Sequence, residues 1–519
     1  MHHNEPSIRI LPHGRQIKTS SGQTVLEALI HQSIFLRSDC GGKGTCGKCM
    51  VERKRDDGSY ETIKACNHVV ADEISIKIPE SSMLSSHIMS KAPVVFPPAF
   101  GERLRQQGGE DAYGIAVDLG TTTIAVYLCN ILKGEIISTL AIKNPQAIYG
   151  DDVMSRIGVI GQNPENLGRL QKLVVKSIEW GMQELLRAFG NVGTTITRMV
   201  AVGNPTMIHI LAGVDPQSIG VSPYRPAFYH AATFRSGVLG FAMADFPLLT
   251  LPQVSGFIGG DLLAAALAVD LTGQTEGTLL VDLGTNGELI LKGKDQFYAT
   301  SCATGPAFEG ASLSCGMQAI PGAINAVQIA DDQTLSGFST IQSSGAKEKN
   351  PTGICGAGVI NAVAQFCEKQ IISPSGVFTT SRKSYILVEE NQALGQPAIS
   401  ISQKDIRSVQ LGKSALITGI EFLLKKAGLN RPRKILIAGA FGSHLRKTDL
   451  IRLGIIPNIA LGDIEMVGNA AGSGAVMALC DETYIDQAAQ LAAQIAIVDL
   501  ACNVDFQNMF IDNLNLQHS

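Results

Sequence analysis

The sequence predicts a small α+β domain at the N-terminus, followed by a large, duplicated α/β domain. Three observations support this prediction. A glycine-rich loop with closely spaced cysteines lies near the start, a strand that ends in Asp-Leu-Gly occurs twice, and glycine accounts for 54 of the 519 residues. Many glycines are typical of proteins with tight turns between strands and helices. A chain of this length also exceeds one ordinary domain.

Residues 5–80 form the predicted small domain. Apolar and polar residues alternate over Ser7–Leu11, and the Pro-His-Gly sequence that follows is typical of the turn of a hairpin. Thr24 begins a helix, because Glu27 lies at the position that completes a capping box. The predicted elements are strands at 7–11, 15–19, 49–53 and 74–78 and one helix after Thr24. This order is that of a β-grasp ferredoxin.

Four cysteines of the small domain form a spaced set: Cys40, Cys46, Cys49 and Cys66. The spacing is one residue longer than the plant-type pattern for a 2Fe-2S cluster and otherwise close to it. The glycines between them allow the backbone to adopt positive φ and to point N–H groups at inorganic sulfides. We therefore predict a 2Fe-2S cluster that carries single electrons. A structural zinc site and a disulfide pair remain as weaker alternatives.

The remaining cysteines are scattered through apolar sequence and predict reduced, buried thiols of a cytoplasmic protein. They are Cys129, Cys302, Cys315, Cys355, Cys367, Cys480 and Cys502. The net charge of -4 and the absence of a basic cluster argue against nucleic-acid binding. The N-terminus has no secretory signal, and the longest apolar stretch, Leu262–Val269, is too short to cross a bilayer. We expect a soluble, cytoplasmic protein with no membrane partner.

Residues 81–112 contain prolines, serines and glycines without periodicity and predict a linker. The large domain is predicted at 113–519, with halves at about 113–275 and 276–480 and a helical closing segment. Its internal repeat consists of two strands that end in Asp118-Leu-Gly and Asp282-Leu-Gly. Further predicted elements are strands at 135–142, 296–300 and 434–438 and helices at 167–189, 405–424, from 467 onward and within 484–515.

Both repeats have the chemistry of a phosphate site. Successive backbone N–H groups in a Gly/Thr turn bind phosphate oxygens, and an aspartate at the strand end positions hydrated Mg²⁺. No Walker-type motif is present, so a P-loop fold is excluded. We therefore predict ATP and Mg²⁺ as ligands. The predicted nucleotide-binding residues are Gly120, Thr121, Thr122, Thr123, Gly284, Thr285, Asn286, Gly287, Gly439, Ala440 and Gly442.

This duplicated arrangement resembles the superfamily of acetate kinase, sugar kinases, heat-shock chaperones and actin, whose halves are ribonuclease-H-like. The resemblance implies that Asp118 and Asp282 organise Mg²⁺ and water and that Gly439–Gly442 lies near adenosine. Glu288 and Glu309 are candidates for positioning the attacking water or Mg²⁺. A carboxylate that binds loop amides would explain either glutamate equally well.

The combination of both domains resembles the reductive activators of corrinoid proteins. The motifs that carry the resemblance are the two turns and the segments 144–156, 202–209, 303–310 and 353–358. The resemblance implies ATP-dependent reduction of Co(II) to Co(I) in a corrinoid protein of a methyltransferase system, with a low-potential electron donor. It leaves formation of a homodimer open. Larger members carry a middle domain, for which the short segment 81–112 leaves no room.

Two other functions remain compatible with the sequence. One is an ATP-gated electron donor to another low-potential metalloenzyme, and the other is a kinase-like ATPase with an accessory ferredoxin domain. Two single residues have simpler structural explanations. We expect His209 to be a packing residue and Arg156 to pair with Asp151 or Asp152.

Overall fold

A computed structural model describes residues 6–12, 14–20, 22–32, 34–36, 38, 42, 44, 47–79, 82–83, 96–97, 100, 111–190, 195–243, 245–310, 313–317, 319–342, 350–390, 398–439, 444–500 and 503–516. The chain forms two compact units. One combines Met1–Ile88 with Gly108–Thr250, and the other combines Met89–Gln107 with Leu251–Ser519. The first unit thus joins the small domain to the first half of the large domain. Most of the predicted linker lies outside the described residues.

The small domain is a five-stranded sheet with one helix packed on it, as predicted. Its strands follow the order β2-β1-β5-β3-β4. Helix α1 begins after Thr24, whose Oγ1 accepts a hydrogen bond from the Glu27 N–H, while the Glu27 carboxylate accepts one from the Thr24 N–H. The elements are β1 Ser7–Leu11, β2 Arg15–Lys18, α1 Val25–His31, β3 Met50–Lys54, β4 Tyr60–Lys64 and β5 Glu73–Lys77. The sequence did not predict β4, a polar edge strand.

The first half of the large domain is a six-stranded sheet in the order β10-β11-β9-β6-β7-β8. Its strands are β6 Tyr113–Leu119, β7 Thr123–Asn130, β8 Glu135–Lys143, β9 Ile196–Gly203, β10 Thr233–Arg235 and β11 Pro247–Thr250. Its helices are α2 Val153–Gln162, α3 Glu165–Phe189 and α4 Pro205–Ala212. Helix α3 packs its apolar face, which includes Val174, Ile178 and Met182, against the sheet.

The second half repeats this sheet in the order β21-β20-β12-β13-β14-β22. In both halves the central strand pairs antiparallel with the next strand of the chain and parallel with a later one. The predicted duplication is therefore confirmed. The strands are β12 Thr278–Leu283, β13 Gly287–Lys292, β14 Phe297–Cys302, β20 Lys434–Ala438, β21 Ile464–Gly468 and β22 Ile495–Ile497.

Small sheets and helices complete the second half. The smaller strands are β15 Ala323–Ile329, β16 Leu335–Thr340, β17 Gly353–Ile354, β18 Ser384–Val388 and β19 Ile399–Ser402. The helices are α5 Gly260–Ala268, α6 Gly356–Glu368, α7 Gln403–Ala427, α8 Lys447–Arg452, α9 Ala470–Cys480, α10 Thr483–Ala493 and α11 Asp505–Asp512. The predicted closing helical segment thus contains a strand, β22, which adds to the edge of the sheet.

The sequence did not predict helix α5, because its apolar residues run continuously rather than at helical spacing. The helix is buried on nearly every side and packs closely against α9. A Cβ atom at Gly474 would lie 2.0 Å from the Ala264 carbonyl oxygen, so only glycine fits at this contact. Within the described ranges, no helix is both long enough and apolar enough to span a membrane.

Candidate functional site

Two of the four predicted cluster ligands, Cys49 and Cys66, lie together in the small domain. Cys49 precedes β3, Cys66 follows β4, and both are buried. Their Sγ atoms are 3.3 Å apart. This distance is too long for a disulfide bond of about 2.05 Å and short enough for one metal ion to contact both sulfur atoms. Cys40 and Cys46 lie outside the described residues.

The loop beside these thiols has the backbone conformation that the sequence predicted. Gly42, Gly44 and Gly47 have φ values of +84°, +76° and +62°, which favour glycine. A Cβ atom at Gly44 would lie 2.5 Å from Asn67 Oδ1, and Lys64 Nζ donates a hydrogen bond to the Gly44 carbonyl at 2.8 Å. The loop therefore closes against the residue next to Cys66. Converging thiols and a positive-φ glycine loop fit a 2Fe-2S cluster.

The first predicted phosphate turn connects β6 to β7. Asp118 is the penultimate residue of β6, and the Gly120 N–H donates to the Thr123 carbonyl at 3.0 Å. A Cβ atom at Gly120 would lie 2.6 Å from that carbonyl oxygen, so the turn requires glycine. Asp118 and Thr122 are partly exposed, whereas Thr121 is buried. The turn thus has a carboxylate at its base and a closed backbone.

Three polar side chains form hydrogen bonds with carbonyl and hydroxyl oxygens of the first turn. Asn144 Nδ2 donates to the Gly120 carbonyl at 2.9 Å, and the Asn144 N–H donates to the Thr122 carbonyl at 2.7 Å. Asn204 Nδ2 donates to Thr121 Oγ1 at 3.0 Å. Arg156 Nη2 donates to the Thr121 carbonyl at 2.6 Å. These contacts fix the orientation of the peptide groups that would face a phosphate.

Arg156 differs from the sequence expectation. Its guanidinium is fully buried and also donates to Gln146 Oε1 and to the Gly150 carbonyl, each at 3.0 Å. Burial lowers the pKa of Arg156 to about 9, although Asp152 and Asp151 raise it. Its hydrogen-bond partners are three uncharged oxygens and Met207 Sδ at 3.0 Å, so the expected ion pair is wrong. Arg156 instead supports the first turn.

The second predicted phosphate turn connects β12 to β13. The Gly284 N–H donates to the Asn286 carbonyl at 3.0 Å. Thr304 Oγ1 donates to the carbonyls of Gly284 and Thr285 at 3.3 and 3.2 Å. Thr285 Oγ1 donates to Glu309 Oε1 at 3.1 Å. Glu309 ends a 3-10 helix at Pro306–Glu309, so the structure brings it directly beside this turn.

Three carboxyl groups influence one another at the base of the second turn. Asp282 and Glu288 occupy opposite positions in the β12–β13 pair, where side chains lie on the same face. Burial of its carboxyl raises the pKa of Glu288 well above the usual range, and the charges of Asp261 and then Asp282 raise it further. Glu288 therefore holds its proton more strongly than an ordinary glutamate, and a protonated carboxyl group can donate a hydrogen bond.

Asp261 is the site residue that the sequence analysis missed. It is the second residue of α5, where a helix N-terminus favours a negative charge. The sequence feature that could have indicated it is Gly-Gly-Asp directly before the apolar stretch Leu262–Val269. Mg²⁺ binds through one or two carboxylates and keeps several waters, so the partly exposed Asp261 and Asp282 fit a hydrated ion. Among the described residues, no group of three or more His, Cys, Asp or Glu side chains is arranged to hold a metal directly.

Gly439 lies close to the second turn. It ends β20 with a φ of +122°, and a Cβ atom there would lie 2.4 Å from the Leu283 carbonyl oxygen. Only glycine fits this approach. Ala440 and Gly442, the other residues of the predicted adenosine segment, lie outside the described residues, so its role stays a prediction.

His209 and the scattered cysteines were expected to have structural roles. His209 is fully buried, its Nδ1–H donates to the Pro205 carbonyl at 2.7 Å, its Nε2 accepts from the Ala227 N–H at 2.9 Å, and its ring stacks on Phe228. It is a packing residue. Burial raises the pKa values of the Cys302, Cys355 and Cys367 thiols. None of the described cysteines outside the small domain forms a disulfide, and all are buried as predicted except Cys315, which is partly exposed.

Comparisons with known proteins cover nearly the whole chain. A family model for the C-terminal domain of RACo, described as its ASKHA domain, matches residues 276–519. A model for the RACo middle region matches residues 113–274, and a model for the 2Fe-2S iron-sulfur cluster binding domain matches residues 8–71. The match at 113–274 corrects the expectation that a middle domain is missing. That region corresponds to the first half of the large domain.

Three relatives are similar over long alignments. The corrinoid activation enzyme RamQ of Eubacterium limosum is 26% identical over 96% of this chain and 97% of the relative. A [Co(II) methylated amine-specific corrinoid protein] reductase of Methanosarcina barkeri is 24% identical over 78% of this chain and 77% of the relative. The solved structure of a reductive activator for a corrinoid, iron-sulfur protein is 25% identical, with a TM-score of 0.73 and 99% of each chain covered.

Proposed function

Since the chain belongs to the family of reductive activators of corrinoid proteins, we propose that it reduces an inactive Co(II) corrinoid protein to Co(I) in a reaction driven by ATP. The reduced chain gives one electron to Co(II) and is itself oxidised by one electron. A low-potential electron donor then restores the reduced form. ATP and water are converted to ADP and phosphate.

One observation carries this proposal: a single chain combines a pair of converging thiols in a positive-φ glycine loop with turns that fit a nucleotide phosphate. When bound, the 2Fe-2S cluster supplies one-electron transfer. The buried Cys49 and Cys66 would hold the cluster, and the positive φ of Gly42, Gly44 and Gly47 would allow backbone N–H groups to approach its sulfur atoms. Since Co(I) requires a very low potential, a separate source of free energy is needed.

For the nucleotide, we propose that the turns at Gly120–Thr123 and Gly284–Gly287 bind ATP phosphates through those backbone N–H groups that do not close the turns themselves. Asp118 and Asp282 would hold the water shell of Mg²⁺. In its protonated form, which burial and the charges of Asp261 and Asp282 favour, Glu288 can donate a hydrogen bond to a phosphate or water oxygen. Glu309 orients Thr285 through their hydrogen bond. The proposed roles thus differ: the aspartates hold water on Mg²⁺, Glu288 donates a hydrogen bond, and Glu309 orients a threonine of the second turn.

The test uses the full chain with a reconstituted cluster, kept without oxygen. The chain is mixed with a chemical reductant and a Co(II) corrinoid protein of a methyltransferase system, and the Co(I) absorption band is followed. We expect the band only when ATP and Mg²⁺ are both present. Reduction at the same rate without ATP would show that the energetic coupling is wrong.

Two variants separate the parts of the proposal. Cys46→Ser should abolish reduction and retain the ability to bind nucleotide, because the cluster and the phosphate turns lie in different domains. Asp282→Asn should retain the visible spectrum of the cluster and lose ATP hydrolysis. If Cys46→Ser also removes ATP binding, the assignment of separate redox and nucleotide sites fails.

A further inference from the structure

The small domain is packed on the first half of the large domain within one compact unit. Leu173 of α3 is fully buried among the hydrophobic residues of the small domain, and Trp180 of α3 contacts the same cluster. The rings of Phe35 and Trp180 meet edge to face, with centroids 5.9 Å apart. Trp180 is the single tryptophan of the chain. The tryptophan fluorescence of the chain therefore arises from this residue, which lies between the core of the first half and that of the small domain.

The cysteine loop also touches the large domain, at residues 143–149, which we call the coupling segment. Lys143 Nζ lies 3.5 Å from the Ser38 carbonyl oxygen. A Cβ atom at Gly42 would lie 3.4 Å from Ile148 Cγ2. Ser38 and Gly42 lie on either side of Cys40 in the sequence. Ile148 and Tyr149 pack against the hydrophobic cluster of the small domain.

The same segment holds the first phosphate turn. Asn144 is fully buried and binds the carbonyls of Gly120 and Thr122 through its side-chain amide and its backbone N–H. Asn144 Oδ1 accepts a hydrogen bond from the Gln146 N–H at 3.0 Å. Gln146, also fully buried, donates to the Leu170 carbonyl of α3 at 2.9 Å. A continuous buried network therefore joins the turn to both places where the small domain contacts the large one.

We infer that the coupling segment links nucleotide binding at the first turn to the environment of the cysteine loop, with Asn144 as the positioning residue. Phosphate that binds the N–H groups of the turn shifts peptide groups whose carbonyls Asn144 holds. Buried, close-packed residues pass on such a shift because they cannot absorb it by local deformation. The shift would reach Gly42 through Ile148 and Trp180 through α3.

Coupling between two sites is reciprocal. If the nucleotide changes the environment of the cluster, the redox state of the cluster must change the affinity for nucleotide by the same factor. Coupling of this kind is about fivefold or more. A tenfold ratio of affinities corresponds to a change of about 59 mV in a one-electron potential. This inference rests on the proposed binding of ATP at the first turn.

The experiment uses the full chain with its cluster, without oxygen, and a non-hydrolysable ATP analogue with Mg²⁺. Three quantities are measured: the dissociation constant of the analogue in the oxidised and reduced states, the emission of Trp180, and the visible circular dichroism of the oxidised cluster. We expect both spectra to change with the same midpoint and the two dissociation constants to differ by about fivefold or more.

Two variants test the route. Ile148→Ala removes the contact to Gly42 and leaves the turn intact. The analogue should therefore still bind, while the circular dichroism response falls and the ratio of its dissociation constants in the oxidised and reduced states approaches one. Asn144→Ala should weaken binding by about three- to tenfold and remove both spectral responses. The matched control is Ile386→Ala, which truncates a half-exposed isoleucine on β18.

The outcomes distinguish the two proposals. If the analogue binds and neither spectrum responds, the coupling inference is wrong and the proposed function stands. If Ile148→Ala retains the full response, the coupling segment is not the route and the inference is also overturned. If the wild-type chain does not bind the analogue at all, both the inference and the proposed nucleotide site fail.

Discussion

Replacement of Arg156 by methionine is the most direct test of how the first turn is held. The guanidinium has no exposed surface and donates to three protein oxygens, those of Thr121, Gln146 and Gly150. Methionine has a similar length, fills most of the same space and donates no hydrogen bond. The variant therefore removes the contacts with little loss of packing volume.

The structure gives opposing contributions to stability. A hydrogen bond from a charged group contributes about 1.5 to 3 kcal/mol, so three such bonds contribute about 5 to 9 kcal/mol. Burial lowers the pKa of Arg156 to about 9, which corresponds to a cost of about 5 kcal/mol for the charged form. We therefore expect Arg156→Met to lower the free energy of unfolding by only about 0 to 4 kcal/mol. Its effect on nucleotide binding should be clearer. Loss of the bond that fixes the Thr121 carbonyl should lower affinity by about 10- to 150-fold.

The assay is calorimetric titration of the full chain with a non-hydrolysable ATP analogue, accompanied by urea unfolding to confirm that the variant is folded. Arg187→Met is the matched control, because Arg187 is exposed on α3 and pairs only with Glu184 among the contacts described for it. It should bind the analogue like the wild type. A folded Arg156→Met variant with an affinity within twofold of the wild type would refute the role given to Arg156.

Two further predictions concern pH. Burial lowers the pKa of His31, as do the charges of Lys172 and Arg169 on α3, partly opposed by Glu27. Since the unfolded chain binds the proton more readily, stability should fall as pH drops below about 6.5. His31→Gln should reduce this loss when urea unfolding is followed by tryptophan emission at pH 7.5 and 5.5. An unchanged pH dependence in the variant would contradict it. Burial also lowers the pKa of Lys413 to about 8, so stability should rise between pH 8 and about 10.4. Lys413→Met should lose that rise in urea unfolding at pH 8 and 9.5. If the free energy of unfolding rises equally with pH in both proteins, Lys413 is not the source of the rise.

Features with a local physical cause could be predicted from the sequence. The turn at Gly120 requires glycine because of a carbonyl three residues away, and the capping box at Thr24 spans four residues. The repeated Asp-Leu-Gly turn predicted the duplicated sheets, because the same local geometry recurs in both halves. The positive φ values around Gly44 also followed from the composition of the loop.

Features that depend on distant contacts could not be predicted. Arg156 reaches the first turn from α2, 35 residues along the chain, and nothing in its sequence neighbourhood points to Thr121. Asp261 influences the pKa of Glu288 only because α5 lies next to β13 in the folded chain. The sequence did not predict α5 as a helix, because its apolar residues have no helical period. The contact between Phe35 and Trp180 depends on how two domains pack. Each of these requires the tertiary structure.

The two halves share the order of five strands, β11-β9-β6-β7-β8 and β21-β20-β12-β13-β14, but have different side chains at equivalent positions. In the second half, Asp282 is opposite Glu288, whereas in the first half the residue opposite Asp118 is Ala125. The second turn therefore has an additional acid at its base, and the first turn has none at that position. The first turn is instead held by Asn144 and Arg156, whose network continues to the small domain.

This difference supports distinct roles for the two turns. The second has the groups that proton transfer near a phosphate requires, and the first has the connections that would communicate nucleotide binding to the cysteine loop. If so, Glu288→Gln should slow ATP hydrolysis and leave the Trp180 response to a non-hydrolysable analogue intact, whereas Asn144→Ala should remove that response. Loss of the response in Glu288→Gln would contradict separate roles.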